Sequence, residues 1–177
     1  MEIDLEDADV VLETISGPTL KLRVYVDASD EDRANSLFDD MEFRAVQTGT
    51  TVSIVAREPR FDRSEWRRRS HFSVTAVVGV PRGVEIDAQT GDGDIRINLL
   101  ASSEVSVSTG DGDITVTAPA DLAADVYLKG EDLSVAEGLE LLGRIRSHSV
   151  QGTLNGGGPN LELRTGGDGA ITFRQGN

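Results

Sequence analysis

The six-residue phrase Thr-Gly-Asp-Gly-Asp-Ile occurs twice in this chain, at residues 90–95 and, 19 residues later, at 109–114. A looser copy occupies residues 165–171. A fixed short period with glycines at the same phase is typical of a fold built from stacked repeats. The step from Ile95 to Ile171 is 76 residues, which is four periods of 19. The sequence therefore predicts a repeat architecture in the second half of the chain.

Apolar residues lie at or near the intermediate steps of this period, with Ile114 and Leu133 on phase and Leu154 two residues late. Each unit holds two short alternations of apolar and polar residues around a glycine turn, the pattern of half-buried strands. A coil of 19 residues has a contour of about 60 Å, enough for two strands and two turns. We expect about five such coils over residues 84–177, each pairing with the next, with residues 139–142 as a helical or looped insert.

The first 83 residues predict β-strands that continue the same sheets and cap one end of the repeat. Residues 72–80 alternate strictly between apolar and polar side chains, and residues 43–56 form a second strand region broken at 48–50. Residues 29–41 instead carry apolar side chains at helical spacing, and Ser29 with Asp32 resembles a capping box, which predicts one short helix. The chain is thus predicted to be a single all-β domain: N-terminal strands with one helix over 1–83, and a parallel β-solenoid-like repeat over 84–177.

Composition excludes several classes of function. Cysteine is absent, which removes disulfide frameworks, thiolate metal sites and cysteine nucleophiles. The net charge of −14 argues against binding nucleic acid, because phosphate contacts need clustered Lys and Arg. No apolar run reaches 18 residues, so we expect no membrane span. The first residues lack a charged-then-apolar signal pattern, which predicts a cytoplasmic protein as given, or an extracytoplasmic one if a signal or anchor was removed.

The repeated Thr-Gly-Asp-Gly-Asp-Ile units, preceded by the alternating strand that ends in Val80-Pro81-Arg82-Gly83, resemble a bacterial and archaeal family. It is the β-strand-repeat domain of unknown function labelled "putative adhesin", also called the toastrack domain. The resemblance is closest over residues 72–177 and weaker over 1–60. It implies an all-β, solenoid-like domain without a known catalytic site, in a family with relatives implicated in envelope-stress sensing and surface adhesion.

The repeated turns place four carboxylates, Asp92, Asp94, Asp111 and Asp113, where stacked coils would bring them within about 4.8 Å in pairs. One interpretation is that Asp and Gly serve only as residues suited to tight, solvated turns. A second is a Ca²⁺ site, since calcium takes six to eight oxygen ligands; Ala170 replaces the second Asp in the third copy. A third, an acid–base pair, needs a cleft and unequal environments that turn tips do not offer. No cofactor is expected otherwise.

Residues 57–69 form the one basic stretch, with six arginines against Glu58, Asp62 and Glu65, a net charge of +3. It also holds the only tryptophan. It could be a solvated excursion pairing with acidic surface, a partner-docking arm anchored by the tryptophan, or a weak patch for anionic lipid or nucleic acid. The candidate partner-binding residues are Arg57, Arg60, Arg63, Trp66, Arg67, Arg68 and Arg69.

These features favour a non-enzymatic structural or interaction module whose sheets and turn rows bind protein partners or further copies of the chain, including a homo-oligomer. The first alternative is ion or small-ligand binding through the Asp turns. The second is a carbohydrate-active enzyme, since some β-helices cleave acidic polysaccharides. The sheet-face residues near the repeats are mostly small and neutral, which disfavours that class: Arg96, Asn98, Ser106, Ser108, Thr115 and Thr117.

Overall fold

The structure is a computed structural model that describes residues 1–5, 8–16, 21–48, 51–57, 72–99, 103–136 and 140–176. Within these ranges the chain forms two β-sheets, of nine and seven strands, that enclose a shared apolar core. Most neighbouring strands are parallel, which confirms the all-β, solenoid-like fold class.

The strands of the two sheets follow one another in space as follows. The nine-stranded sheet runs β13 (Leu141–Arg146), β14 (Ser149–Leu154), β11 (Ala124–Lys129), β15 (Asn160–Thr165), β9 (Val105–Thr109), β7 (Ile86–Thr90), β1 (Glu2–Leu5), β5 (Thr51–Arg57) and β4 (Glu42–Thr48). The seven-stranded sheet runs β12 (Asp132–Val135), β16 (Ala170–Gln175), β10 (Ile114–Ala118), β8 (Ile95–Asn98), β2 (Asp9–Ile15), β6 (Phe72–Pro81) and β3 (Lys21–Ala28).

Each coil contributes one strand to each sheet and buries alternate side chains between them. In β7 the buried positions alternate with the exposed Asp87 and Gln89, as period-two patterning requires. The two identical phrases stack in register, with Thr90 beside Thr109 and Ile95 beside Ile114. Both isoleucines are fully buried. The prediction that these phrases occupy equivalent positions in adjacent coils is confirmed.

The coils do not stack in chain order, and this corrects the expected arrangement. The last coil, β15 and β16, lies between the coil of β9 and β10 and the coil of β11 and β12. Ile171 therefore separates Ile114 from Leu133 and pairs with both. The first coil is inserted in the same way, because β1 pairs with β5 and β7, and β2 pairs with β6 and β8. A repeat period fixes the phase of a residue along its strand but not which coil is its neighbour.

The expected fourth coil is instead an antiparallel hairpin. Strands β13 and β14 pair with each other, and β14 pairs antiparallel with β11. The expectation of a helical or looped insert at residues 139–142 is wrong for Leu141 and Leu142, which open strand β13. Residues 137–139 lie outside the described residues.

At the opposite end the stack closes with antiparallel strands and one helix. Strand β3 pairs antiparallel with β6, and β4 pairs antiparallel with β5. The predicted helix is present as α1 (Glu31–Asp40), and its Leu37 is buried. Its cap is Asp30 rather than Ser29, since the Asp30 carboxylate accepts a hydrogen bond from the Arg33 amide at 2.9 Å. The prediction of Ser29 is wrong by one residue, and since Asp is as good an N-cap as Ser, residue type did not favour Ser29 over its neighbour.

Insertion of the last coil predicts that Ile171 contributes more to stability than Leu133 does. Ile171 is fully buried at the centre of the seven-stranded sheet, whereas Leu133 is half-buried on the edge strand β12. We expect Ile171→Ala to lower the free energy of unfolding by about 3–5 kcal/mol and Leu133→Ala by clearly less. Urea denaturation followed by circular dichroism measures both. Chain-order stacking would make Leu133 the more central residue and reverse the ranking.

Candidate functional site

The glycine–aspartate turns of three coils lie one above another at one edge of the sandwich. This turn stack comprises residues 91–94, 110–113 and 166–169, followed on its outer side by Ala8 and Asp9. Its coils approach closely at the backbone: a Cβ on Gly93 would lie 2.1 Å from the Ala8 carbonyl oxygen, and one on Gly112 would lie 2.2 Å from that of Gly93. Real Cβ atoms do not tolerate such distances, so glycine is required there by packing, independently of turn φ.

A buried threonine fixes each of these approaches. The Thr90 hydroxyl donates to the Ala8 carbonyl at 2.9 Å, and the Thr109 hydroxyl donates to the Gly93 carbonyl at 2.9 Å. The Thr165 hydroxyl donates to the Gly112 carbonyl at 3.1 Å. The same hydrogen bond thus recurs in three coils, and it satisfies carbonyl groups that the close packing removes from water. These threonines are the only buried polar residues in the described part of the chain.

The second aspartate of each repeat holds the next coil through its carboxylate. Asp9 Oδ1 accepts from the Asp94 amide at 2.9 Å, and Asp94 Oδ1 accepts from the Asp113 amide at 3.0 Å. Asp113 Oδ1 then accepts from the Ala170 amide at 2.8 Å. Ala170 receives this bond but has no carboxylate to pass it on. The substitution that breaks the sequence motif therefore stands at the end of the aspartate row.

The first aspartate of each repeat is solvated and leans over the next turn. Asp92 and Asp111 are exposed, and the Asp92 Oδ1 lies 3.2 Å from the position of a Cβ on Gly110. Asp111 covers Gly167 in the same way, and Gly167 has φ +47°. The extra residue of the third copy is accommodated at this left-handed glycine.

The four candidate calcium ligands thus divide into two backbone acceptors, Asp94 and Asp113, and two solvated residues, Asp92 and Asp111. Within the described ranges, no group of three or more His, Asp or Glu side chains is placed to hold a metal ion. Arg96 adds a cation beside the row, with its guanidinium 3.1 Å from Asp94 and 3.9 Å from Asp9. Hydrogen bonds within the turns explain why the repeats carry aspartate at these positions. Calcium binding stays a hypothesis.

The candidate partner-binding residues fall largely on a segment that is not described. Arg57 ends strand β5. The other six lie within residues 58–71, outside the described residues: Arg60, Arg63, Trp66, Arg67, Arg68 and Arg69. Their role in partner binding stays a prediction.

Sequence reasoning missed the exposed apolar residues at the hairpin end of the nine-stranded sheet. Leu142 is 69% exposed and Ile145 is 73% exposed, although both belong to a regular strand. Such residues look like core when only periodicity is read. Their exposure depends on β13 being the last strand of its sheet, which the repeat period does not reveal.

Comparison with known proteins identifies the relationship of this fold. The sequence model of the family Toastrack DUF4097 matches residues 1–152. The match includes the N-terminal strands, where the resemblance in sequence is weaker, and ends before the inserted coil of β15 and β16. No curated protein matches the sequence. In the described part of the chain, no helix is long and apolar enough to cross a membrane.

One solved structure shares the fold over almost the whole chain. It is that of a "putative cell adhesion protein" from Clostridium sporogenes, with a TM-score of 0.54 and 14% sequence identity. The similarity covers 99% of this chain and 93% of the other. At this identity the comparison establishes a shared fold.

The turn interpretation predicts that calcium is dispensable for folding. Because the Asp94 and Asp113 carboxylates are already backbone acceptors, melting temperatures in calcium and in chelator should agree within about 1 °C. Differential scanning calorimetry measures this, with Asp94→Asn as the control, since its Oδ1 can still accept from the Asp113 amide but the negative charge that strengthens calcium binding is lost. A rise of many degrees with calcium that Asp94→Asn abolishes would establish an ion site.

Proposed function

Because the chain belongs to the Toastrack DUF4097 family, we propose that it is a non-enzymatic interaction module that presents a rigid β-surface to protein partners or to further copies of itself. The observation that carries this proposal is that the polar residues of the repeat form hydrogen bonds within the scaffold instead of facing a ligand site. The threonines and second aspartates of the repeats bind backbone groups of the next coil. The most distinctive residues of the sequence therefore serve to stiffen the scaffold.

The outer faces of the repeat strands support the same conclusion. Arg96 and Asn98 of β8 and Ser106 of β9 are exposed, while Ser108, Thr115 and Thr117 are half-buried. Apart from Arg96 these side chains are neutral, and none is a carboxylate or histidine that could act as a general acid or base. A mainly polar sheet face is suited to contact with another protein surface. An adhesin-like role is the specific form of the proposal, supported by the fold shared with the clostridial protein.

The basic segment at residues 57–69 is the proposed partner contact. It carries a net charge of +3 in a chain of net charge −14, so acidic surfaces, including those of sister molecules, attract it. Arginine and tryptophan are the residue types that most often dominate binding energy at interfaces. Trp66 would anchor a contact that the arginines orient.

A triple substitution tests this contact. We expect Arg67→Ser, Arg68→Ser and Arg69→Ser together to leave the melting temperature within about 2 °C of the native value, because alternating charges bury little apolar surface. Sedimentation velocity measures the affinity of self-association. It should weaken about tenfold at low salt and less at high salt, because salt screens the attraction between charges.

The matched control changes three other exposed arginines, Arg44, Arg82 and Arg174, to Ser. It removes the same charge and should leave association nearly native. Loss of folding in the first triple variant would place the segment in the core. Equal association of the two triple variants would remove the segment from the interface.

A further inference from the structure

The nine-stranded sheet extends two strands beyond its partner sheet. Strand β12 ends the seven-stranded sheet opposite β11, whereas the larger sheet continues with β14 and β13. Ile145 shares the inward face with its pairing partner Val150, which is buried, yet Ile145 itself is 73% exposed. Leu142, on the opposite face, is 69% exposed. Within the described residues, β13 is thus an edge strand with apolar side chains exposed on both faces.

Edge strands are usually protected because their unpaired backbone groups bind other strands. Strand β13 spans six residues of sequence Leu-Leu-Gly-Arg-Ile-Arg and contains no proline. It pairs regularly with β14 along its whole length, without a bulge. Arg144 and Arg146 are the only charged residues of this strand, and its exposed leucine and isoleucine leave an apolar surface open to strand addition.

Hydrogen bonding to β14 determines which backbone groups of β13 point outward. The Asn155 amide donates to the Glu140 carbonyl at 3.2 Å, which makes Glu140 and Asn155 a hydrogen-bonded pair of the hairpin. Such pairs alternate along an antiparallel ladder, so the even-numbered residues of β13 bond to β14. The amides and carbonyls of Leu141, Gly143 and Ile145 therefore point toward the free edge.

We propose that a second copy of the chain occupies this edge, with β13 pairing antiparallel to β13 of the other copy about a two-fold axis at Gly143. This inference rests on the proposed interaction function, names a second copy as the partner, and adds a contact surface separate from residues 57–69. The axis sets Gly143 opposite Gly143 and Leu141 opposite Ile145 of the other copy. All three edge residues of both copies then exchange amide–carbonyl hydrogen bonds, and the two larger sheets become one.

The side chains of this register complement one another. Glu140 lies opposite Arg146 of the other copy, twice by symmetry, and both residues are exposed in the single chain. Leu142 lies opposite Arg144, whose aliphatic stem can cover the exposed leucine. Leu141 and Ile145 pair across the axis on the inward face. Residues 140–146 are therefore self-complementary in charge and in apolar contacts. This favours a second copy of the chain, rather than an unrelated strand, as the partner of β13.

Other registers are less favourable. Moving the axis to Arg144 sets two arginines directly opposite each other, and like charges in that position destabilise a strand pair. Moving it to Leu142 sets Ile145 opposite residue 139, which precedes the strand. The axis at Gly143 is the one that uses every outward-pointing backbone group of the strand.

Charge reversal tests the pairing. Arg146→Glu and Glu140→Arg should each raise the Kd of self-association at least about tenfold, since two opposite-charge pairs become two like-charge pairs. The double variant Glu140→Arg with Arg146→Glu restores opposite charges and should recover near-native affinity. Arg44→Glu on β4, the other edge of the same sheet, is the control and should leave affinity unchanged. Sedimentation equilibrium measures all four variants.

Cysteine cross-linking tests the register in a chain that has no native cysteine. Under oxidation the double variant Leu142→Cys with Arg144→Cys should give a covalent dimer in high yield, while each single variant should give little. A dimer from Arg144→Cys alone, or from Leu142→Cys alone, would overturn the register.

The remaining outcomes separate this inference from the proposed function. One outcome is that the charge-reversal variants self-associate like the native chain, whereas the Arg67, Arg68 and Arg69 triple variant does not. This result contradicts β13 pairing but is consistent with the proposed interaction function. A chain that stays monomeric, without cross-linking, overturns β13 pairing. The proposed function then depends on binding a different protein.

Discussion

The whole stack depends on how closely neighbouring coils approach at the glycine–aspartate turns. Parallel strands about 4.8 Å apart leave little space between consecutive turns. Gly93, Gly112 and Gly169 occupy positions where a side chain would strike the carbonyl of the adjoining coil. Thr90, Thr109 and Thr165 convert this crowding into hydrogen bonds with those carbonyls. The apolar core between the sheets can close only because the turns stack without steric conflict.

Because both end coils are inserted between other coils, the ends of the chain are held inside the stack. Strands from the beginning and the end of the chain lie inside the sheets rather than at their edges. A sequential repeat could fray from its ends, whereas here β1, β2, β15 and β16 each pair on both sides. Many native contacts are therefore long in sequence, and the entropy of closing long loops slows the folding of such topologies. A scaffold closed in this way is suited to presenting a fixed surface.

Much of the fold could be predicted from the sequence. Periodicity identified the strands, the pairing of Ile95 with Ile114 and the single helix, because strand alternation and helical spacing are local properties. The order of the coils was not accessible, since Ile171 and Leu133 have the same phase and either fits beside Ile114. The hairpin of β13 and β14 and its exposed edge depend on that order. At the turns, sequence reasoning located the aspartates but not the threonine row, because a buried threonine and a strand-forming threonine look alike in sequence.

The central claim is that threonine hydrogen bonds hold the turns together, and Thr109→Val tests it most directly. Valine matches threonine in shape but leaves the Gly93 carbonyl and the Gly112 amide without the hydroxyl that each contacts. The free energy of unfolding, measured by urea denaturation, should fall by about 1–3 kcal/mol relative to the native chain. Thr117→Val, on the outward face of β10, should change it by less than about 0.5 kcal/mol. Equal effects of the two substitutions would contradict the account.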